Sequence, residues 1–130
     1  MFKDTDQSEF KVGQVWTYKA RPGEEASTLT VLKVQTAPKW STVVHVGIRG
    51  VKVKTLNGVT DVLPHLPFSE EAVKKSVIAK VSDQGPLTDF HDGYEMWSKA
   101  ATSGKGGIFT ITVGETVATV EEGFTKVRGK

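Results

Sequence analysis

The sequence predicts an α+β fold: a curved, mostly antiparallel sheet, with an SH3-like barrel as its closed form, covered by two to three helices from the C-terminal half. Three observations carry the prediction. Between Val15 and Val62 the chain is a series of short runs rich in Val, Thr and aromatic residues, a composition suited to a pleated surface. The dipeptide Asn57-Gly58 between two such runs is a hairpin signal. After Pro67 apolar residues recur at helical spacing instead, and strands followed by helices are the α+β order.

The elements follow in order. Val15-Trp16-Thr17-Tyr18-Lys19 alternates as a first strand. Arg21 to Ser27 is a charged turn in which Pro22 fixes φ and Gly23 accepts φ > 0. Thr28 to Gln35 is a central strand, with Leu29 and Val31 on one face and Leu32 and Val34 on the other. Ala37 to Ser41 breaks it, and Val43 to Arg49 resumes with Val44, Val46 and Ile48 facing one way and His45 the other. After Gly50, Val51 to Thr55 alternates apolar residues with Lys, as edge strands do, and Val59 to Val62 is the short return. Ser69 is placed to N-cap a helix, with Phe68 and Val73 as a hydrophobic staple. The stripe Val73, Val77, Ile78, Val81 predicts that helix as far as Gly85-Pro86. A second helix opens near Asp89 with Phe90, Tyr94, Trp97 and Ala101 on one face, Gly93 being its flaw, and stops at Ser103 to Gly107. Ile108 to Thr112 reads as a last strand. Thr112 and Glu115 then have capping-box spacing, which favours helix over continued strand for 113–124.

At 130 residues the expectation is one domain over 1–130, with 1–10 and 125–130 as flexible ends. Hydrophobic residues at 38% and charged residues at 25% are globular values, which sets disorder aside. The absence of cysteine removes disulfides, thiolate catalysis and Cys-based metal sites together. The polar start lacks a signal-peptide core, and no apolar stretch reaches the ~20 residues a spanning helix needs. The expectation is therefore cytoplasmic, with no membrane. A net charge of +2 does not demand a polyanionic partner.

Motifs for chemistry are sparse. His45, His65 and His91 share no short ligand spacing, so neither a metal nor a cofactor is expected. Gly104-Lys105-Gly106-Gly107 lacks the phosphate-loop pattern and follows a helix rather than opening one. His45 and His65 are acid–base candidates if a cleft exposes them, the plainer alternative being a hydrogen-bonded, partly buried histidine. The most suggestive surface is the turn carrying Arg21, Glu24 and Glu25 beside Trp16 and Tyr18, and these five residues with His45 form the candidate binding set. A second candidate surface is Arg49, Lys52 and Lys54, aided by Lys33 and Lys39, for nucleic acid, with Trp16, Tyr18 or Trp40 for stacking.

Val12-Gly13-Gln14-Val15-Trp16-Thr17-Tyr18 through Arg21-Pro22-Gly23-Glu24, continued by Ser27 to Val34, together with Leu66-Pro67-Phe68-Ser69-Glu70-Glu71-Ala72, resembles a family of small bacterial proteins with no established activity. The resemblance implies a bacterial, cytoplasmic setting and transfers no catalytic residue. A weaker resemblance is to the SH3-like barrel of bacterial toxin endoribonucleases. Gly13-Gln14-Val15-Trp16 lacks the acidic residue of that pattern, and Arg21-Pro22 sits differently before the next strand. The expected function is a non-enzymatic binding or regulatory module, of accessory or immunity type, that docks on another protein. The alternative is a nucleic-acid-binding protein or ribonuclease.

Overall fold

The computed structural model describes residues 2–126. Six strands and three helices follow in the order β1 (Lys3–Asp4), β2 (Val15–Tyr18), β3 (Thr28–Ala37), β4 (Ser41–Thr55), β5 (Gly58–Ser69), α1 (Glu70–Lys74), β6 (Val77–Ser82), α2 (His91–Thr102) and α3 (Val113–Lys126). All strand pairings are antiparallel, in the order β5-β4-β3-β2-β6, and β1 adds to β3 beside β2. The end strands β5 and β6 do not pair, so the sheet is curved and antiparallel as predicted and stays open, without taking the SH3-like barrel that was its possible closed form.

Each strand boundary has a local cause. The two runs on either side of Gly50 are one long strand, bent where Gly50 takes φ 87° and its Cα passes so close to Ser27 that a Cβ would lie 3.0 Å from the Ser27 Cα. Thr55 pairs with Gly58, so the hairpin loop is Leu56-Asn57, one residue earlier than the Asn-Gly signal suggests. The return strand is also longer than expected and runs through Pro64 and Pro67. It tolerates both because β5 is an edge, where a missing N–H need not break the ladder.

A bulge near Leu32 changes the face assignment of β3. The register with β4 slips between Val31 and Lys33, so Val34 joins Leu29 and Val31 in the main core instead of facing away from them. Val44, Val46 and Ile48 lie on that core side, as expected. Phe10, Phe68, Val73, Val113 and Val117 seal it, all without exposed surface. Within the segment 2–10, β1 pairs with β3 and Phe10 is buried. Residues 127–130, part of the expected flexible end 125–130, lie outside the described residues.

Two expected elements differ. Ser69 caps a helix as predicted, accepting from the Ala72 N–H, but α1 is a single turn. The Ser76 hydroxyl donates to the Ala72 carbonyl and to its far side accepts the Val113 N–H. Beyond it Val77, Ile78 and Val81 belong to β6 rather than to a helical stripe. Ile108 to Thr112 likewise forms no strand, since only Phe109 bridges to β5, between Pro67 and Ser69. The capping box of α3 forms as predicted: Thr112 and Glu115 exchange reciprocal hydrogen bonds.

Candidate functional site

The sheet face opposite the core holds the densest polar and aromatic cluster. Lys33 and Gln35 project from β3, His45 from β4 and His65 from β5, and α2 lies over them with Tyr94 and Trp97. Gly93 has a reason to interrupt that helix: a Cβ there would lie 3.1 Å from the Cβ of His65.

The hydrogen bonds fix their own directions. Gln35 Nε2 donates to the Tyr94 hydroxyl (2.8 Å), which leaves its Oε1 to accept from His45 Nε2–H (2.9 Å). His45 Nδ1 must then accept, and it does so from His65 Nε2–H at 2.9 Å. The two imidazoles stack with centroids 5.0 Å apart, while Tyr94 and Trp97 meet His45 edge-on at 5.2 and 4.8 Å. Burial, then the neighbouring His65 and Lys33, lowers the His45 pKa to about 3, and burial alone lowers that of His65 to about 4. Both are neutral at pH 7. A general base working there needs a pKa near 7, so this pair is poorly tuned for proton transfer. His91 is exposed at the start of α2 and joins neither. No group of three metal-ligating side chains occurs among the described residues.

The candidate binding set does not assemble into one surface. Trp16 packs edge-on against Phe10 and donates its indole N–H to Gln14 (3.1 Å). Tyr18 is buried, with its hydroxyl 2.7 Å from that of Ser27, and burial is the main cause of its raised pKa. Arg21 makes a paired contact with Glu24 (2.9 and 2.6 Å) and reaches Glu121 of α3 at 2.8 Å. Glu24, 3% exposed, also accepts the Lys52 N–H (2.6 Å), while Glu121 accepts that of Lys54 (2.8 Å). The Arg21 guanidinium therefore holds Glu24 below the usual carboxylate range, and the Lys54 N–H followed by Arg21 does so for Glu121. Glu25 is exposed and bonds back to the Gly23 N–H. His45 lies in the separate cluster beneath α2.

This Arg–carboxylate clamp has a structural rationale. Beyond Arg49 the strand β4 loses β3 as a neighbour and pairs only with β5. Its Lys52 and Lys54 N–H groups would be an open edge, and the two carboxylates occupy it. The exposed Lys52 and Lys54 side chains alternate with buried Val51 and Val53, Arg49 is half-buried, and Glu24 and Glu121 on the Lys52 and Lys54 N–H groups place acidic groups along this basic strip.

Two surface features were missed or underweighted by sequence reasoning. The first is β6, whose outer edge has no strand partner among the described residues and which exposes Ile78 (63%) and Val81 (57%). The second is a cavity of about 280 Å³ walled by Phe2, Trp40, Ala37, Pro38 and Ala101, with Lys39 and Thr102 as its polar side chains. The turn Pro38-Lys39-Trp40 carries the local signal for it. No sequence pattern foretells that Phe2 meets Trp97 at 5.0 Å and Trp97 meets Trp40 at 6.0 Å. The chain matches no protein-family model, no curated protein and no solved structure.

Proposed function

We propose that this protein is a non-enzymatic binding module that takes an extended segment of another protein along the outer edge of β6. The observation that supports the reading is the combination of an unpaired strand edge with exposed Ile78 and Val81. Val12, 55% exposed, sits on the neighbouring turn, whose Gly13 carbonyl accepts the Gly85 N–H. Strand addition draws its affinity from main-chain hydrogen bonds, for which the outer edge of β6 is placed, while Ile78 and Val81, at the two register shifts of β6 against β2, add apolar contact. The inward-satisfied, neutral histidine pair favours binding over acid–base catalysis. A cytoplasmic bacterial setting is part of the same proposal, resting on the cysteine-free composition and the resemblance described above.

Copurification from the native host at physiological salt, followed by amide chemical-shift mapping, tests it. The expected result is a protein partner whose binding perturbs the β6 amides and is lost in the double variant Ile78→Lys/Val81→Lys. Retention of the partner by that variant, or turnover of a small substrate without a partner, defeats the reading. Nucleic acid at Arg49, Lys52 and Lys54 is the less favoured alternative, because Glu24 and Glu121 line the same strand edge. It predicts RNA affinity that falls steeply with added salt.

A further inference from the structure

The cavity between the N-terminal segment, the β3–β4 turn and the last turn of α2 is aromatic on two sides and contains no carboxylate. Phe2 and Trp40 are both half-buried, each fixed against Trp97 and so held as standing walls. Trp97 is itself anchored, with its indole N–H on the Gly107 carbonyl (2.8 Å). At about 280 Å³ the space is at the lower edge of the roughly 300–1,000 Å³ of ligand pockets, the size of one planar ring system.

The charges around it are mostly basic, the acidic exception being Asp4, which pairs with Lys33 at 3.0 Å. Lys39 lines the cavity. Lys3 follows Phe2 and pairs in register with Thr36, next to Ala37. Lys99 lies one turn before Thr102, and Lys105 follows the helix end. All four are exposed, and the segments 2–3, 36–41 and 98–107 contain no acidic residue. The carbonyl end of α2 does not offset them, because the Lys99, Ala100 and Ala101 carbonyls already accept from Ser103, Lys105, Gly106 and Gly104. An apolar, aromatic-walled slot with Lys39 in its lining and a largely basic surround suits a flat ring joined to more than one negative charge.

From this juxtaposition we infer that the cavity is a nucleoside-phosphate site, with the base stacked between Phe2 and Trp40 and the phosphates on Lys39 and the surrounding lysines. Among the described residues the lining offers, besides Lys39, the Thr102 hydroxyl and the Trp40 indole N–H, so the base is held chiefly by stacking and one base is distinguished little from another. The site is separate from the β6 edge, and neither proposal depends on the other.

Calorimetric titration of the full chain with ADP, adenosine and indole-3-acetate, each at low and high salt, tests the inference. ADP is expected to bind more tightly than adenosine by about tenfold or more, and its affinity, unlike that of uncharged adenosine, should fall with salt. Trp40→Ala should abolish both. Since that change could disturb the turn, the surface variant Lys39→Glu/Lys105→Glu provides an independent reading: ADP affinity drops about tenfold or more while adenosine affinity is unchanged. No heat with millimolar ADP overturns the proposal, as does ADP binding indifferent to the lysine variant. Tighter binding of indole-3-acetate than of ADP overturns it in favour of an aromatic monocarboxylate.

Discussion

A single guanidinium connects three parts of the chain that are remote in sequence. Arg21 binds Glu24 within its own turn and Glu121 a hundred residues later, and both carboxylates close the free edge of β4 at Lys52 and Lys54. Glu24→Ala leaves the Lys52 N–H and part of the guanidinium unsatisfied in a poorly hydrated place. It is expected to cost about 2–3 kcal/mol, read as a lower urea midpoint at unchanged slope. Glu25→Ala, on the exposed side of the same turn, should leave the midpoint essentially unchanged. The turn was legible as a constrained cluster of charges. Its use was not, because the partners Glu121 and the Lys52 backbone become neighbours only through the tertiary fold. His45 was legible as facing away from Val44 and Val46, and it does; its pairing with His65 depends on the register of β4 against β5, which no local pattern encodes.

Among the elements, the segment 70–82 shows competition between two periodicities. Val73, Val77, Ile78 and Val81 suit a helix by spacing, yet four β-branched residues suit a strand by χ1 restriction, and the vacant edge of β2 decides for strand after one helical turn. The clean hydrophobic runs of β3 and β4 left no such ambiguity. The helix α2 has no fully buried residue and rests on the sheet through half-buried Tyr94 and Trp97. Its amides are expected to exchange with deuterium well before those of β3 and β4, with local opening far below the global unfolding free energy. Trp97→Ala removes the ring shared by Phe2, Trp40 and His45. It should accelerate exchange across α2 and β1 while leaving α3 protected, and uniform acceleration everywhere would count against this description.

For the molecule as a whole, the histidine pair couples stability to acidity. Both groups are neutral when folded, with pKa values of about 3 and about 4, but take up protons near 6.5 when unfolded. Below pH 6.5 the unfolded chain binds more protons, so stability falls as pH falls, with a slope of at most roughly 1.4 kcal/mol per pH unit for His45 and a smaller one for the more exposed His65. Glu24, whose folded pKa is lowered, adds a further loss below its unfolded value near 4.5. Urea unfolding at pH 7, 6 and 5 should show this decline, and His65→Gln should make it shallower; a flat profile in the native protein contradicts the cluster as described. The overall class was legible because strand-rich and helix-rich halves separate in the chain, whereas barrel closure was not, since it depends on whether β5 and β6 meet.

The placement of Glu121 also bears on how the molecule is made. The β4–β5 hairpin leaves the ribosome long before α3 does, so for the interval in which some sixty residues are synthesised the Lys54 amide has no carboxylate to meet and Val53 no helix above it. A nascent chain at that stage presents a sticky ribbon, and a product ending at Gly107 should therefore collect in inclusion bodies when the full-length chain does not. Supplying residues 108–130 as a separate peptide during refolding should recover part of it.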